Sequence, residues 1–279
     1  MIRLQNEQVS IGFDEQNGCL QSLCIRSSGK EFIKPDAGRR NPFLVWKKFK
    51  KPYAFIDNRT PPDPADLAGA CLSPAGKKAT ATVAVSDGRA NLTYDLGGGL
   101  IASLTVTLDG CRSRWSFTLQ NTGRRIQTVL PVFPAISGLQ IDQRRGRMLA
   151  MNQSGFIDKI WAYSGGPYGN SAACSAQFGC LFEDSQCLGY LIEDAAFGPK
   201  DIRTVKPNLQ VRYFPPRELA PGQKIILPDV VLLLYEGDWR QTATAYGDWF
   251  RQTLRPEPTP DWVYEIDAYS GAWAEKIGK

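Results

Sequence analysis

Between Ala79 and Phe133 the chain never runs far without a glycine turn. The segments "ATATVAV", "ANLTYDL", "LIASLTVTL", "RSRWSFTLQN" and "IQTVLPVF" are separated by Asp87-Gly88, Gly97 to Gly99, Asp109-Gly110 and Asn121 to Gly123. Alternating β-branched and aromatic residues fit half-buried strands, and glycine supplies the positive φ that tight reversals need. Short strands at regular spacing, with no helical pattern between them, predict an antiparallel sandwich and not a βα repeat. Val9 to Phe13 and Leu20 to Ile25 add a hairpin across "DEQNG". Further strands are expected at "NPFLVW", ending at Trp46, and at "RMLAM", "QFGCLF", "CLGYLIE", "LQVRYF" and "KIILPDVVLLLY". The last run is near-continuously apolar, as a strand buried on both faces would be. From about Lys50 to Lys78, "TPPDPADLAG" and the lack of periodicity predict a long surface excursion.

At 279 residues the chain has room for one large all-β domain or two smaller ones. No apolar run reaches membrane-span length, and "MIRLQNEQVS" lacks the apolar core of a signal peptide. A cytoplasmic protein without a membrane partner is therefore expected. The net charge of +5 is spread over "GRRN", "KKFKK" and "RRGR" beside glycine or proline. These read as solvated loops and edge-strand protection, not as a nucleic-acid surface.

Histidine is absent from the sequence, and this excludes more chemistry than any motif includes. No Ser-His-Asp or Cys-His arrangement, imidazole acid or base, or histidine metal ligand can form within it. The seven cysteines contain no C-x-x-C pair, so a zinc site would need four of them to converge from distant segments. Reduced, mostly buried thiols are expected, with no metal and no cofactor.

Helical periodicity is strong in one place. Asp238 is a candidate N-cap, with Gln241 completing a capping-box pattern, and Trp239, Ala243, Tyr246, Phe250 and Leu254 fall on one face. That stripe reads as packing against the sandwich. Trp249, beside Phe250, should face another direction, and together with Trp262 and Trp273 it predicts more aromatic surface than one buried stripe requires. "RPEPTPD" then places proline at every second position, which ends the helix and makes a stiff connector.

The strand ending in "YEGDW", the A-x-x-Y-x-x-W helix and the exit to Pro260-Asp261-Trp262 together resemble a junction in a group of multidomain glycoside hydrolases and hydrolase-like proteins. In that group an amino-terminal β-supersandwich of the galactose-mutarotase-like type leads into a catalytic (β/α)8 barrel. Tyr163, Gly165, Gln177, Phe178, Gly189, Asp194 and Lys200 match the group's pattern; Ser164 stands where proline is favoured, and no histidine precedes Asp194. The resemblance is specific from Tyr163 to Trp262 and general before that. It implies a supersandwich over 1–237, a brace helix over 238–254, a linker over 255–261 and, over 262–279, the truncated start of a barrel, which needs about 250 residues.

The resemblance places both glycosidase carboxylates in the barrel, so no catalytic residue is expected in this chain. Glu183-Asp184 reads as a solvated hairpin turn, and Asp194 as a loop-positioning residue. Mutarotase chemistry, which in the resembling enzymes needs histidine opposite a glutamate, is excluded by the missing imidazole. Trp161, Tyr163 and Tyr168, in "IWAYSGGPYGN", form a candidate sugar-stacking surface in a glycine-rich loop, with Asp194 and Lys200 as candidate polar neighbours. The reading is a non-catalytic amino-terminal domain whose partners are the barrel and, through the parent protein, a carbohydrate. The alternatives are a stand-alone carbohydrate-binding or protein-interaction module, and a carboxylate enzyme working from the sandwich alone.

Overall fold

The computed structural model describes residues 1–33, 40–49, 68–76, 80–86, 88–152, 155–161, 166–168, 174–255, 257–258, 260 and 262, with the backbone alone at 152, 166–168, 174 and 205. Ile2–Gln5, Val9–Phe13, Leu20–Ile25 and Lys30–Glu31 form a four-stranded antiparallel sheet. The hairpin turn is organised by Asp14, whose carboxylate accepts the N–H groups of Gln16 at 2.9 Å and Asn17 at 3.1 Å. Gly18 closes it at φ +66°, and its carbonyl accepts a 2.9 Å hydrogen bond from the buried Tyr94 hydroxyl. Every residue of Val9–Phe13 is buried, so the sheet is covered there on both faces.

The meander forms as its glycine punctuation predicts. Thr80–Ser86, Arg89–Asp95, Leu100–Asp109 and Arg112–Asn121 pair in sequence order, all antiparallel. The fifth run, Gln127–Ile136, leaves this order and pairs with Leu44–Phe49, Asn208–Tyr213 and Arg217–Leu219. Asn121 holds the crossing: its side-chain amide donates to the carbonyls of Arg125 and Leu219, both at 2.8 Å, and its Oδ1 accepts the Gly123 N–H at 3.0 Å. Once the chain has crossed, Phe133 stacks on Phe117 at 5.0 Å, with Phe43 4.8 Å from Phe117. Trp115 meets Phe13 of the four-stranded sheet at 6.0 Å. These rings lie in the main core.

The apolar run at 224–235 divides at Leu227-Pro228 into Lys224–Ile226 and Asp229–Glu236, both paired with Arg112–Asn121. The first piece leaves Ile226 exposed. The second is buried on both faces as expected and lies between Arg112–Asn121 and Gln186–Glu193. Its residues alternate between two cores: Val230, Leu232 and Leu234 join the main one, while Val231, Leu233 and Tyr235 join a second one under the helix.

Three sequence expectations change here. The excursion after Lys50 contains a strand, Ala68–Leu72, that extends the sheet beside Leu44–Phe49. Most of the rest of that excursion lies outside the described residues. Arg40 of the "GRRN" cluster is buried and not solvated, its Nη1 donating to the Ser137 carbonyl at 3.1 Å. Glu183 is likewise no solvated turn residue. It is buried and accepts hydrogen bonds from Lys30 Nζ at 2.9 Å, from the Asp142 N–H at 3.0 Å and from Arg145. Because Lys30 belongs to the four-stranded sheet, Glu183 clasps that sheet to the larger network.

The helix spans Arg240–Leu254, with Trp239 at its cap and no side-chain cap hydrogen bond. The Asp238 carboxylate instead takes the Arg240 N–H at 2.7 Å, so the expected capping box does not form. Thr242, Ala245 and Tyr246 are buried, and Trp239, Ala243, Trp249 and Phe250 pack half-buried on the second core. The helix thus uses a broader face than the sequence stripe, and Trp249 turns towards the sandwich; Trp262 is exposed, and Trp273 lies outside the described residues. Contact is close because Gly189 lies beneath Thr242, whose Oγ1 would sit 2.1 Å from a Cβ added there.

Gly189→Ala is expected to cost about 1–3 kcal/mol through this overlap. Equilibrium urea unfolding should show a smaller loss in a Thr242→Ala background, and equal losses in both backgrounds would mean that the helix is not pressed on Gly189. Burial acts against ionisation of Glu183, but the Asp142 N–H, Lys30 and Arg145 outweigh it and hold its carboxyl below the ordinary 4.5. Its stabilisation is therefore complete above that value and disappears as pH falls through the lower folded-state pKa. Glu183→Gln should lower stability by about 1–3 kcal/mol at neutral pH. The difference from the unsubstituted protein should vanish in acid, and a deficit independent of pH would count against the clasp.

Candidate functional site

The loop between Gln186–Glu193 and Lys200–Val205 collects two of the candidate residues. Asp194 follows the first strand and folds the chain back on itself: its Oδ1 accepts the Ala196 N–H at 3.1 Å and its Oδ2 the Gly198 N–H at 2.9 Å. Phe197 takes φ +51° within this turn, and its N–H donates to the Asp194 carbonyl at 3.2 Å. Lys200 opens the next strand, with its side chain fully buried. Its ammonium donates to Asp194 Oδ2 at 2.7 Å, Gln177 Oε1 at 2.7 Å and the Gly198 carbonyl at 2.6 Å. Three donors on three acceptors use the full capacity of a lysine. Gln177, buried on the neighbouring strand Cys174–Glu183, closes the network by donating from Nε2 to the Asp194 carbonyl at 3.0 Å.

Burial pushes the Lys200 ammonium below its ordinary value of 10.5, and the hydrogen bond and charge of Asp194 work in the opposite direction. Tyr213 stands opposite Lys200 across the ladder to Asn208–Tyr213, and its phenol is pushed up by burial and then by the Asp194 charge. A lysine without accessible surface cannot reach a substrate. Chemically, the arrangement fixes the shape of the 194–200 loop and leaves the Asp194 carboxylate engaged.

The other candidates fall in different places. Tyr168 is not in a loop but in a short strand, Gly166–Tyr168, whose backbone pairs it with Lys200 and Cys174. Trp161 follows the strand Phe156–Lys159, takes φ +65° and packs half-buried against the main core. Tyr163 lies outside the described residues. The structure therefore joins Asp194, Lys200 and the Tyr168 backbone, and it adds Gln177 and Tyr213. Gln177 was visible in the sequence as a motif position. Tyr213 carried no local signal, because its place is set by a strand register.

A concavity lies between the helix and the strands Leu100–Asp109, Arg112–Asn121, Asp229–Glu236 and Gln186–Glu193, with a volume of about 260 Å³. Trp249 forms one wall, and Arg112, Arg114, Asp109, Glu193 and Asp248 contribute its charged groups. Sequence reasoning did not find it, although Arg112 and Arg114, two apart on a strand, share one face.

No protein-family model matches the sequence, and no curated protein is significantly similar to it. Similarity appears among solved structures. The α-N-acetylgalactosaminidase of Bifidobacterium bifidum, in complex with GalNAc, superposes with a TM-score of 0.58 at 12% identity, over 90% of this chain and 39% of its own. The GH36 α-galactosidase of Geobacillus stearothermophilus in complex with raffinose gives 0.54 at 11% identity, over 93% and 44%. The galactose 1-epimerase of Lactobacillus acidophilus gives 0.54 at 11% identity, over 85% and 94%. The fold is galactose-mutarotase-like. This galactose-mutarotase-like chain spans less than half of the two glycosidase chains and nearly all of the epimerase. Identities of this size establish the fold alone. No helix among the described residues is long and apolar enough to cross a membrane.

Removing one partner of a buried ion pair strands the other, at a cost of about 3–5 kcal/mol. Lys200→Met should therefore destabilise the fold by about 3 kcal/mol in urea titration, and adding Asp194→Asn should restore part of the loss. A single-variant loss below about 1 kcal/mol would show that the pair does not lock the loop.

Proposed function

We propose that the chain is the non-catalytic amino-terminal domain of a glycoside-hydrolase-like protein acting in carbohydrate metabolism. The supersandwich occupies 1–237, the brace helix 238–254 and the linker 255–261, and 262–279 begins a (β/α)8 barrel. The domain supports that barrel and lends its sugar cleft the 194–200 loop with the neighbouring strand Gly166–Tyr168. The observation carrying this reading is the share of each chain that the likeness covers. The glycosidase structures, of which this chain spans less than half, cover 90–93% of it, against 85% for the galactose 1-epimerase. The missing histidines leave the chain without an imidazole acid or base of its own. The Lys200–Asp194 lock supports the loop's role, because a loop that shapes a neighbouring cleft must hold its form.

A stand-alone carbohydrate-binding module is the second reading. It is favoured by the epimerase, in which the same fold makes up nearly the whole chain.

The two readings separate experimentally. The 279-residue protein is expected to show neither glycoside hydrolysis nor sugar epimerisation above background. Turnover abolished by Asp194→Asn would place catalysis in the sandwich and overturn the proposal. The coding sequence beyond Lys279 should encode a barrel, and a protein carrying it should melt at a higher temperature than the 279-residue chain. A longer protein of unchanged melting temperature would support the stand-alone module.

A further inference from the structure

We propose that the cleft between the helix Arg240–Leu254 and the sheet beneath it binds a single neutral sugar ring. The proposal stands apart from the 194–200 loop and does not rest on a barrel, because its walls belong entirely to this chain.

The cleft is built by two elements that approach at an angle. Arg112 and Arg114 project from one strand, and the ladder sets Arg112 opposite Asp109 and Arg114 opposite Thr107 on the next. The Arg114 guanidinium is gripped by both oxygens of Glu193 and reaches Asp229 at 3.2 Å. Across the cleft, Asp248 on the helix is held by Arg251 at 2.6 Å. Arg114 and Glu193 are therefore paired before any ligand arrives, which lowers the ordering cost of binding at that corner, while Arg112 stays exposed to meet the ligand.

The lining chemistry selects the ligand. Two guanidiniums face three carboxylates, those of Asp109, Glu193 and Asp248, so neither a strongly anionic nor a strongly cationic molecule is favoured. Guanidinium groups only donate and carboxylates only accept, whereas a hydroxyl does both. A ligand carrying several hydroxyls around a compact frame can bridge them. Thr107 and Gln252 add groups that donate and accept.

The cleft also has an apolar side. Leu191, Val231 and Ala245 lie at its floor and the Trp249 ring stands at its wall, braced by Tyr246 at 5.5 Å and an interplanar angle of 38°. An aromatic body beside fixed polar groups suits a pyranose, whose C–H face is apolar and whose rim is hydroxylated. About 260 Å³ lies below the ~300–1,000 Å³ of drug-sized pockets and admits one ring, not an oligosaccharide. Arg112 is exposed, so the site opens to solvent.

The test titrates the 279-residue protein with galactose, glucose and N-acetylgalactosamine while following the tryptophan indole N–H resonances by NMR. A saturable shift of the Trp249 signal, assigned by its disappearance in Trp249→Phe, is expected with at least one sugar. Arg112→Ala should weaken that binding about tenfold without changing the melting temperature. It serves as the second variant, since Trp249→Phe can also loosen the helix. The proposal is overturned if no sugar gives a saturable Trp249 shift up to its solubility limit. It is equally overturned if binding survives Arg112→Ala unaltered.

Discussion

The strand Asp229–Glu236 is the element on which the rest of the molecule depends. Its even-numbered residues from Val230 to Leu234 enter the main core, and Val231, Leu233 and Tyr235 enter the core beneath the helix. Its two edges are zipped to Arg112–Asn121 and Gln186–Glu193. A side chain of this kind contributes about 1.5–3 kcal/mol when fully buried, and here six successive residues are buried at once. Loss of register by one residue would exchange the contents of the two cores, so the ladder and the packing specify each other.

Polar contacts settle how the layers are joined. Glu183 binds Lys30 and Arg145, Asn121 fixes the crossing between sheets, and Lys200 locks the loop after Asp194. Each is a buried group with its hydrogen bonds satisfied, which the interior demands and which alternative strand arrangements would forfeit. The layers are apolar enough to collapse in several ways. These networks favour one of them.

The same physics separates the two surface features. The 194–200 loop is rigid because its charges are consumed internally, and this suits a part that shapes a neighbour's surface. The cleft beside Trp249 presents the Arg114–Glu193 pair, held in place, next to Arg112, which is open to solvent. A fixed, partly hydrated rim beside an aromatic wall suits reversible recognition of a polar molecule.

Local pattern determined a large share of this protein. The glycine-punctuated strands from Thr80 to Asn121, the hairpin at Val9–Phe13, the doubly buried strand near the carboxyl end and the helix all follow from side-chain period and turn chemistry. The absence of histidine fixed what catalysis the chain cannot perform by itself. Tertiary structure decided the rest, because the deciding partners are far apart in the chain. The crossing of Gln127–Ile136 to other strands depends on Asn121 meeting Leu219, and the burial of Glu183 on Lys30 arriving from a separate sheet. Ala68–Leu72 is a strand because Leu44–Phe49, distant from it in local pattern, offers it a ladder. Trp249 became a cleft wall when the helix settled over Gly189, whose missing side chain sets the distance of approach. Periodicity records which face of an element is apolar; it does not record which other element will cover that face, since that is set by the packing of the whole chain.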